Sequence, residues 1–327
     1  MSAPDDDAST LARAVLEGTP RAVARAISWL EAGDRRGAQV LATLRRTRGE
    51  REAWWVGVTG APGSGKSTLV DKLVEAWRAQ GASVAVLAVD PSSPFSGGAL
   101  LGDRIRMTRW HADPGVFVRS MSARGRLGGL AAATVRAATL LEAAGFDRIV
   151  IETVGVGQSE VDVAAAADTT LLVLAPGAGD DVQAVKAGVS EIADVLIVHK
   201  CDLPGAERLR RDLAAAQALA PTAEGAWRPP IVLASANDGT GLVDVVAAVA
   251  AQRAWREGRE DRAARRLRRA EAELTAALQA RIERLLRARP DAWLAPLVAG
   301  EVDAERLAER LLPAGGLDAD DAVASEP

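Results

Sequence analysis

Residues 54–68 read Trp54-Trp55-Val56-Gly57-Val58-Thr59-Gly60-Ala61-Pro62-Gly63-Ser64-Gly65-Lys66-Ser67-Thr68, and this stretch determines the fold class. The apolar run 54–59 predicts a strand, and the pattern from Thr68 to Gln80 predicts a helix. The glycine-rich turn 60–67 lies between them. Glycines allow backbone N–H groups to converge on a β-phosphate, and the start of the helix adds positive potential there. The stretch therefore predicts a phosphate-binding loop (P-loop), and a glycine turn without a ligand is the weaker alternative.

Two side chains of this loop are expected to act on a bound triphosphate. Lys66 reaches the β- and γ-phosphate oxygens, and the Ser67 hydroxyl holds magnesium. We therefore expect Lys66 to be a catalytic residue and Ser67 to be a metal ligand. The predicted nucleotide-binding residues of the loop are Gly60, Ala61, Pro62, Gly63, Ser64, Gly65, Lys66, Ser67 and Thr68.

The composition limits the classes of protein to which the chain can belong. With 327 residues, of which 48% are hydrophobic and 26% charged, the chain is long enough for one large α/β domain with helical additions. The net charge of −4 gives no global positive field, so we expect neither nucleic acid nor a membrane as a partner. The single cysteine, Cys201, excludes an intramolecular disulfide framework, and no apolar run is as long as a membrane span or a secretory signal. A cytoplasmic location is expected.

Apolar runs that alternate with helical patterns predict a P-loop NTPase with a mostly parallel central sheet flanked by helices. Beyond residue 59 these runs are Ser83–Val89, Val116–Val118, Arg148–Ile151, Thr170–Leu174, Val195–Val198 and Ile231–Ala234. Three short helical patterns precede the sheet, and a stripe of leucine and isoleucine predicts one long helix over Glu260–Arg289. The expected organisation is a helical extension at 1–50, the P-loop domain at 51–250, a C-terminal helical arm at 251–313 and a disordered acidic tail at 314–327.

Two aspartates after the second predicted strand are candidate magnesium ligands. Asp90 follows the strand directly, and Asp103 lies in the glycine-containing stretch 97–104. A magnesium triphosphate needs carboxylates opposite the P-loop, and the ion keeps several of its waters. An aspartate after a strand can also cap a helix, which is the alternative for each of them.

The stretch Glu152-Thr153-Val154-Gly155-Val156-Gly157-Gln158 follows another predicted strand. P-loop enzymes carry an acid for magnesium or water here, and a glycine that senses the γ-phosphate. We expect Glu152 to contact the metal and to orient or deprotonate the attacking water, with Gln158 a weaker candidate for the latter role. Gly155 fits the sensing role. In the alternative, Glu152 is an ion-pair partner at the end of the sheet.

The stretch His199-Lys200-Cys201-Asp202 is expected to select the base. Asp202 can accept hydrogen bonds from guanine N1–H and its N2 amine, which adenine cannot offer, and the stem of Lys200 covers the base. The usual pattern is Asn-Lys-x-Asp, so His199 is a departure that should weaken binding, because an asparagine amide normally braces this loop. Ser235 and Ala236 follow the last strand, where a backbone N–H meets guanine O6. GTP or GDP is therefore favoured over adenine nucleotides.

Several sequence blocks outside the phosphate loop point to one family. They are Asp90-Pro91-Ser92-Ser93-Pro94, residues 97–104, Arg119-Ser120-Met121, Arg124-Gly125, Gly128-Gly129-Leu130, residues 152–160, Ala175-Pro176-Gly177-Ala178-Gly179-Asp180-Asp181, Gln183, Lys186 and Gly188. With these blocks, the chain from about Arg21 to Leu312 resembles the MeaB/ArgK GTPases, which are chaperones of adenosylcobalamin-dependent acyl-CoA mutases such as methylmalonyl-CoA mutase.

This resemblance implies roles that the residue pattern alone does not. It implies that Asp180, Asp181 and Lys186 belong to a switch that relays the nucleotide state to the mutase. It also implies a homodimer held partly by the C-terminal helices. GTP hydrolysis by the chain alone is expected to be slow, because no arginine finger can be assigned within it.

Three other interpretations remain open at this stage. The chain could be an ATP-dependent kinase or ATPase linked to amino-acid transport, an activity once attached to this family's name. It could be a metal-insertion GTPase, although the Cys/His ligands for that role are lacking. The arginine-rich run 262–269 could suggest nucleic acid, but it lacks interleaved aromatic residues, and a solvated or dimer-lining helix face is favoured.

Overall fold

The computed structural model describes residues 4–47, 52–90, 107–122, 129–153, 166–177, 193–219, 225–288 and 291–311. The strands are β1 (Trp54–Thr59), β2 (Val84–Asp90), β3 (Val116–Ser122), β4 (Arg148–Thr153), β5 (Thr169–Leu174), β6 (Val195–His199) and β7 (Ile231–Ala234). The helices are α1 (Pro4–Leu16), α2 (Pro20–Ala32), α3 (Arg35–Thr47), α4 (Lys66–Ala79), α5 (Gly129–Ala143), α6 (Ala206–Leu219), α7 (Leu242–Glu257), α8 (Arg262–Ala288), α9 (Asp291–Val298) and α10 (Ala304–Leu311). A 3₁₀ turn covers Thr108–Trp110.

Seven strands form one sheet in the order β3-β2-β4-β1-β5-β6-β7. Every strand pair in the described part of the sheet is parallel. Parallel strands need crossover connections, which place helices on the faces of a sheet. The central strands β1 and β5 are buried along their whole length. The predicted fold class is confirmed, and all the described strand pairs are parallel, where the sequence predicted a mostly parallel sheet.

The strand register decides which residues lie at the functional edge. On β1, Val58 is paired with Glu152 of β4, and Thr59 is paired with Leu172 of β5. On the outer side, His199 of β6 is paired with Ala234 of β7. Because the carboxyl ends of parallel strands meet at one edge, the turn after β1 lies beside Glu152 and near the segments that follow β6 and β7.

The three N-terminal helices share a hydrophobic core with one face of the sheet. Val15 of α1, Ile27 of α2 and Leu44 of α3 are fully buried in the same cluster as Trp55 of β1 and Leu141 of α5. Val56 and Val58 point to the opposite face, where they pack in a cluster with residues of α4 and α7. Residues 1–280 form one compact unit, and 281–327 form a second, in which α9 contacts α10.

The long helix α8 has two different faces within the first unit. Ala276 and Ala280 are buried, whereas Leu267, Leu274 and Leu278 are 72%, 61% and 50% exposed. The apolar stripe predicted from the sequence therefore faces solvent. No helix in the described ranges is long and apolar enough to cross a membrane.

Three arginines at the start of α8 are paired inside the chain, so the interpretation as a solvated or dimer-lining face is wrong for Arg265, Arg268 and Arg269. Arg262 is exposed. Arg265 Nη2 lies 3.2 Å from Glu52 Oε2, and Arg268 Nη2 lies 2.8 Å from Asp168 Oδ1. Arg269 lies between two buried carboxylates. Carboxylates from distant parts of the chain neutralise these arginines, because a buried charge is stable only when it is paired.

Candidate nucleotide-binding site

The phosphate loop, residues 60–68, joins the carboxyl end of β1 to the start of α4. Three of its glycines have positive φ angles, +145° at Gly60, +78° at Gly63 and +94° at Gly65. A Cβ atom on Gly60 would lie 2.1 Å from the carbonyl oxygen of Val173, so no larger residue fits there without a backbone shift. The loop is therefore a tight backbone cradle at the amino end of a helix, which is the arrangement that binds phosphate groups.

Lys66 is held inside this cradle. Its Nζ atom donates to the carbonyl oxygens of Gly60 at 2.8 Å and Ala61 at 2.9 Å, and the residue is only 6% exposed. These contacts place a positive charge within the loop, next to the first turn of α4. Both the charge and the helix start favour an anion at this point.

Ser67 and Glu152 lie next to each other across the edge of the sheet. Ser67 Oγ donates to Glu152 Oε1 at 2.5 Å, and Glu152 is 3% exposed. A hydroxyl and a buried carboxylate side by side form the oxygen-rich donor set that magnesium prefers, so these two residues fit the ion. Among the described residues, no three His, Cys, Asp or Glu side chains come together as a metal site.

The base loop, residues 199–202, is bonded to the phosphate loop through its first residue. His199 Nδ1 lies 2.9 Å from the carbonyl oxygen of Ser64, and His199 is 3% exposed. Burial of the imidazole lowers the pKa of His199, against the opposing effect of this hydrogen bond. The neutral ring therefore carries its proton on Nδ1 and supplies a brace between the two loops. The imidazole N–H occupies the place of the usual asparagine amide. The expected effect of His199 on nucleotide affinity stays a prediction.

Lys200 makes a second connection between these loops. Its Nζ donates to the carbonyl oxygen of Gly63 at 2.7 Å, and its φ angle is +55°. Within the described residues, Lys200 is the one non-glycine residue with positive φ. This backbone conformation is uncommon for a lysine and frequent at functional sites. It turns the chain so that the Lys200 side chain reaches back over the phosphate loop.

Asp202 and Ser235 lie next to each other where β6 and β7 end. The hydroxyl of Ser235 holds the pKa of Asp202 below its usual range, and Asn237 Nδ2 lies 3.3 Å from Asp202 Oδ2. Asp202 is therefore a carboxylate, ready to accept hydrogen bonds from a base. Ser235 and Ala236 are buried, and the Ser235 N–H is bonded to the carbonyl oxygen of Thr240 at 2.9 Å. Asn237 was not predicted as a site residue, although its place after the last strand is a usable signal.

The structure brings together predicted residues of four segments, namely the phosphate loop, Glu152, the base loop and Ser235-Ala236. The backbone of Asp90 ends β2, where it is paired with Ser122. The remaining predicted residues lie outside the described residues. They are Asp103, Gly155, Gln158, Asp180, Asp181 and Lys186.

Comparison with known proteins decides the family. Residues 23–291 match the family described as "Methylmalonyl Co-A mutase-associated GTPase MeaB". The chain belongs to the MeaB family. The resemblance recognised in the sequence is thus confirmed, and this MeaB-family chain is a P-loop GTPase.

Individual relatives agree with this assignment. The chain is 44% identical over 247 residues to a Mycobacterium tuberculosis protein named "Probable GTPase", covering 74% of this chain and 73% of that protein. It is 39% identical over 203 residues to the mitochondrial methylmalonic aciduria type A homolog of Mus musculus, covering 61% of this chain and 49% of that protein. Because the family and these relatives point to a GTPase, the transport-linked kinase is not favoured.

A solved structure supports the fold alone. The crystal structure of an LAO/AO transport system kinase has a TM-score of 0.69 to this MeaB-family chain, at 23% identity. The match covers 93% of this chain and 96% of the other. The architecture is therefore shared over nearly the whole length of both.

Proposed function

We propose that this GTPase is a chaperone of an adenosylcobalamin-dependent acyl-CoA mutase of the methylmalonyl-CoA mutase type. Its nucleotide state would gate loading or protection of the cobalamin cofactor of the mutase. The observation that carries the proposal is the family match over residues 23–291, which includes the phosphate loop, Glu152 and the base loop. The name of the mouse relative, which refers to methylmalonic aciduria, supports the same client class.

Lys66 and the phosphate loop would bind the triphosphate. The Lys66 ammonium, now donating to Gly60 and Ala61, would exchange these carbonyl acceptors for β- and γ-phosphate oxygens. This exchange costs little desolvation because the ammonium is already buried. The backbone N–H groups of the loop would hold the β-phosphate.

Glu152 would position the attacking water. Its carboxylate is buried beside Ser67, so it can accept a hydrogen bond from a water near the γ-phosphate and draw off its proton. Ser67 and Glu152, with Asp90 and Asp103 as further candidates, would hold magnesium, whose charge offsets that of the phosphates. We assign Gly155 to sensing of the γ-phosphate and Gln158 to a secondary role in orienting water.

Guanine would be recognised at the base loop. Asp202 would accept from N1–H and the N2 amine, and Lys200 would cover the ring. In the pair Ser235-Ala236, the N–H of Ala236 would donate to O6, because the Ser235 N–H is bonded to Thr240. His199 would hold this assembly on the phosphate loop through its bond to Ser64. Base and phosphates would then be bound by one connected unit.

Communication with the mutase would run through Asp180, Asp181 and Lys186, in keeping with the family resemblance.

Two copies of the chain would associate partly through α8, whose exposed Leu274 and Leu278 offer an apolar surface. Replacing both leucines by glutamate should yield a monomer in sedimentation analysis. Leu219→Glu, at a position 87% exposed on α6, is the matched control. If the leucine-to-glutamate double variant stays dimeric, α8 is not part of the dimer interface.

The mutase role is tested with methylmalonyl-CoA mutase from the same cells. We expect the mutase to co-elute with the GTPase in a nucleotide-dependent manner, to raise its rate of GTP hydrolysis, and to receive cobalamin only in one nucleotide state. Lys66→Ala should lose all three effects while remaining folded. The chaperone role fails if the mutase neither binds nor changes hydrolysis with GTP, GDP or a non-hydrolysable analogue.

A further inference from the structure

Helices α4 and α7 pack against each other and leave an open groove with a volume of about 370 Å³. Its floor includes Trp54 and Arg148, the first residues of β1 and β4. The phosphate loop follows the opposite, carboxyl end of β1. The groove is therefore separate from the nucleotide site, and its volume lies in the range of small-molecule sites.

The walls of the groove are mostly apolar. Trp54 and Trp77 line it and are each 3% exposed, so both rings are fixed in the core. Trp54 is also held by a hydrogen bond of 2.8 Å from Nε1 to Thr169 Oγ1. On the α7 side, the lining includes Val246 and Ala250. A rigid wall with two indole rings favours an apolar ligand body.

Arg148 adds a positive charge to this mostly apolar wall. Its Nη1 donates to the carbonyl oxygen of Asp147 at 3.1 Å, but it forms no ion pair with any described residue. The Asp147 carboxylate accepts instead from Ser83 N and Oγ, at 2.9 and 2.8 Å. The charge is also partly desolvated, since burial lowers the pKa of Arg148.

Asp147 and Glu257 attract the charge of Arg148, but neither carboxylate forms an ion pair with it among the described residues. Glu257 Oε1 lies 2.9 Å from Arg253 Nε, so this carboxylate is already engaged by another arginine. The charge of Arg253 further disfavours the protonated form of Arg148, which lowers its pKa in the same direction as burial. The charged residues that line the groove, two arginines and one glutamate, have a net charge of +1.

We propose that the groove between α4 and α7 binds a small organic carboxylate with an apolar body, with its carboxylate on Arg148 and its body against Trp54 and Trp77. A guanidinium binds a carboxylate through two parallel hydrogen bonds, which suits a singly charged anion. One carboxylate matches the net charge of the groove, whereas a dianion would exceed it. Arg148 is the first residue of β4, and Glu152 is near its carboxyl end. The ligand and the nucleotide would therefore lie at opposite ends of the strand and would not compete.

The test uses octanoate as the probe, because it combines a carboxylate with an apolar chain. In calorimetry on the full chain we expect octanoate to bind, and octanamide, which has the same shape without charge, to bind about tenfold more weakly. Acetate, which has the charge without the chain, should also bind more weakly than octanoate. Arg148→Gln should lower the octanoate affinity about tenfold, to that of octanamide.

Two further variants separate this effect from misfolding. Ala250→Phe fills the groove from an exposed position of α7 and should abolish binding of both octanoate and octanamide while GDP binding persists. Arg208→Gln, whose side chain is 83% exposed on α6, removes one positive charge elsewhere and should bind octanoate as the wild type does. The proposal is overturned if octanoate gives no heat at millimolar concentration with protein that binds GDP. Equal binding of octanoate and octanamide, or unchanged binding by Arg148→Gln, also overturns it.

Discussion

His199 Nδ1 is hydrogen-bonded to the carbonyl oxygen of Ser64 at 2.9 Å, so the base loop is attached directly to the phosphate loop. Gly65 makes this contact possible, because a Cβ atom there would lie 2.3 Å from His199 Nδ1. Since the carbonyl can only accept, Nδ1 carries the proton. The other nitrogen, Nε2, is buried without a hydrogen-bond partner among the described residues. The imidazole thus couples the two loops through one donor.

Removing this donor should weaken nucleotide binding. His199→Leu keeps an apolar side chain in the buried position but cannot donate to Ser64, and we expect the Kd for GDP to rise about tenfold. His199→Asn is the matched variant, because its amide nitrogen can occupy the place of Nδ1; it should bind at least as tightly as the wild type. Fluorescence titration with a labelled GDP measures both. Wild-type affinity in the leucine variant would contradict the bracing role.

His199 should also make stability depend on pH. Its pKa is lowered in the folded chain, so the unfolded chain binds a proton first as the pH falls below about 6.5. Proton uptake by the unfolded state favours unfolding, and stability contributed by the neutral imidazole is lost from about pH 6.5 down to the folded pKa. The urea midpoint of the wild type should therefore fall more steeply between about pH 7 and pH 5 than that of His199→Asn.

The sheet and the phosphate loop could be predicted from the sequence because their signals are local. Buried parallel strands are continuous apolar runs, and a glycine-rich turn between a strand and a helix is typical of a phosphate site. The contact of His199 with Ser64 joins residues 135 positions apart, and it depends on how closely β6 approaches the phosphate loop. The pairing of Arg268 with Asp168 likewise needs the packed fold. A charge pattern along one helix does not reveal which distant carboxylate meets it.

Two glycines of the phosphate loop should respond differently to alanine. Gly60→Ala places a methyl group 2.1 Å from the Val173 carbonyl oxygen, which belongs to a central strand and cannot move aside. We expect loss of GDP binding or of the folded state. Gly63→Ala meets no atom within 4 Å and bears only the strain of its positive φ, about 1 kcal/mol. Calorimetry and thermal unfolding distinguish the two. Equal behaviour of both variants would mean that the contact with Val173 is not restrictive.

Glu152→Gln should separate binding from hydrolysis. Glutamine keeps an oxygen that can accept from Ser67 Oγ, so GTP binding should stay near the wild-type value. The amide cannot take a proton from water, and the single-turnover rate of hydrolysis should fall about 100-fold. Lys66→Ala, which should not bind the triphosphate at all, serves as the reference for lost binding. Wild-type hydrolysis in Glu152→Gln would exclude Glu152 from activation of the water.

Arg269 should be the most important single side chain for anchoring α8. It is 5% exposed, donates to Glu142 Oε1 at 2.7 Å and Asp168 Oδ2 at 2.5 Å, and lies over the ring of Trp55. Arg269→Met preserves much of the side-chain volume but removes the positive charge that pairs with the buried carboxylates of Glu142 and Asp168. The free energy of unfolding should fall by about 3–5 kcal/mol.

The control and the decisive comparison for this effect use urea denaturation. Arg208→Met, whose side chain is 83% exposed, should change the free energy of unfolding by less than about 0.5 kcal/mol. Adding Glu142→Gln to Arg269→Met removes one of the uncompensated charges, so the double variant should lose less stability than the two single losses added together. Strict additivity would mean that Arg269 and Glu142 do not stabilise each other.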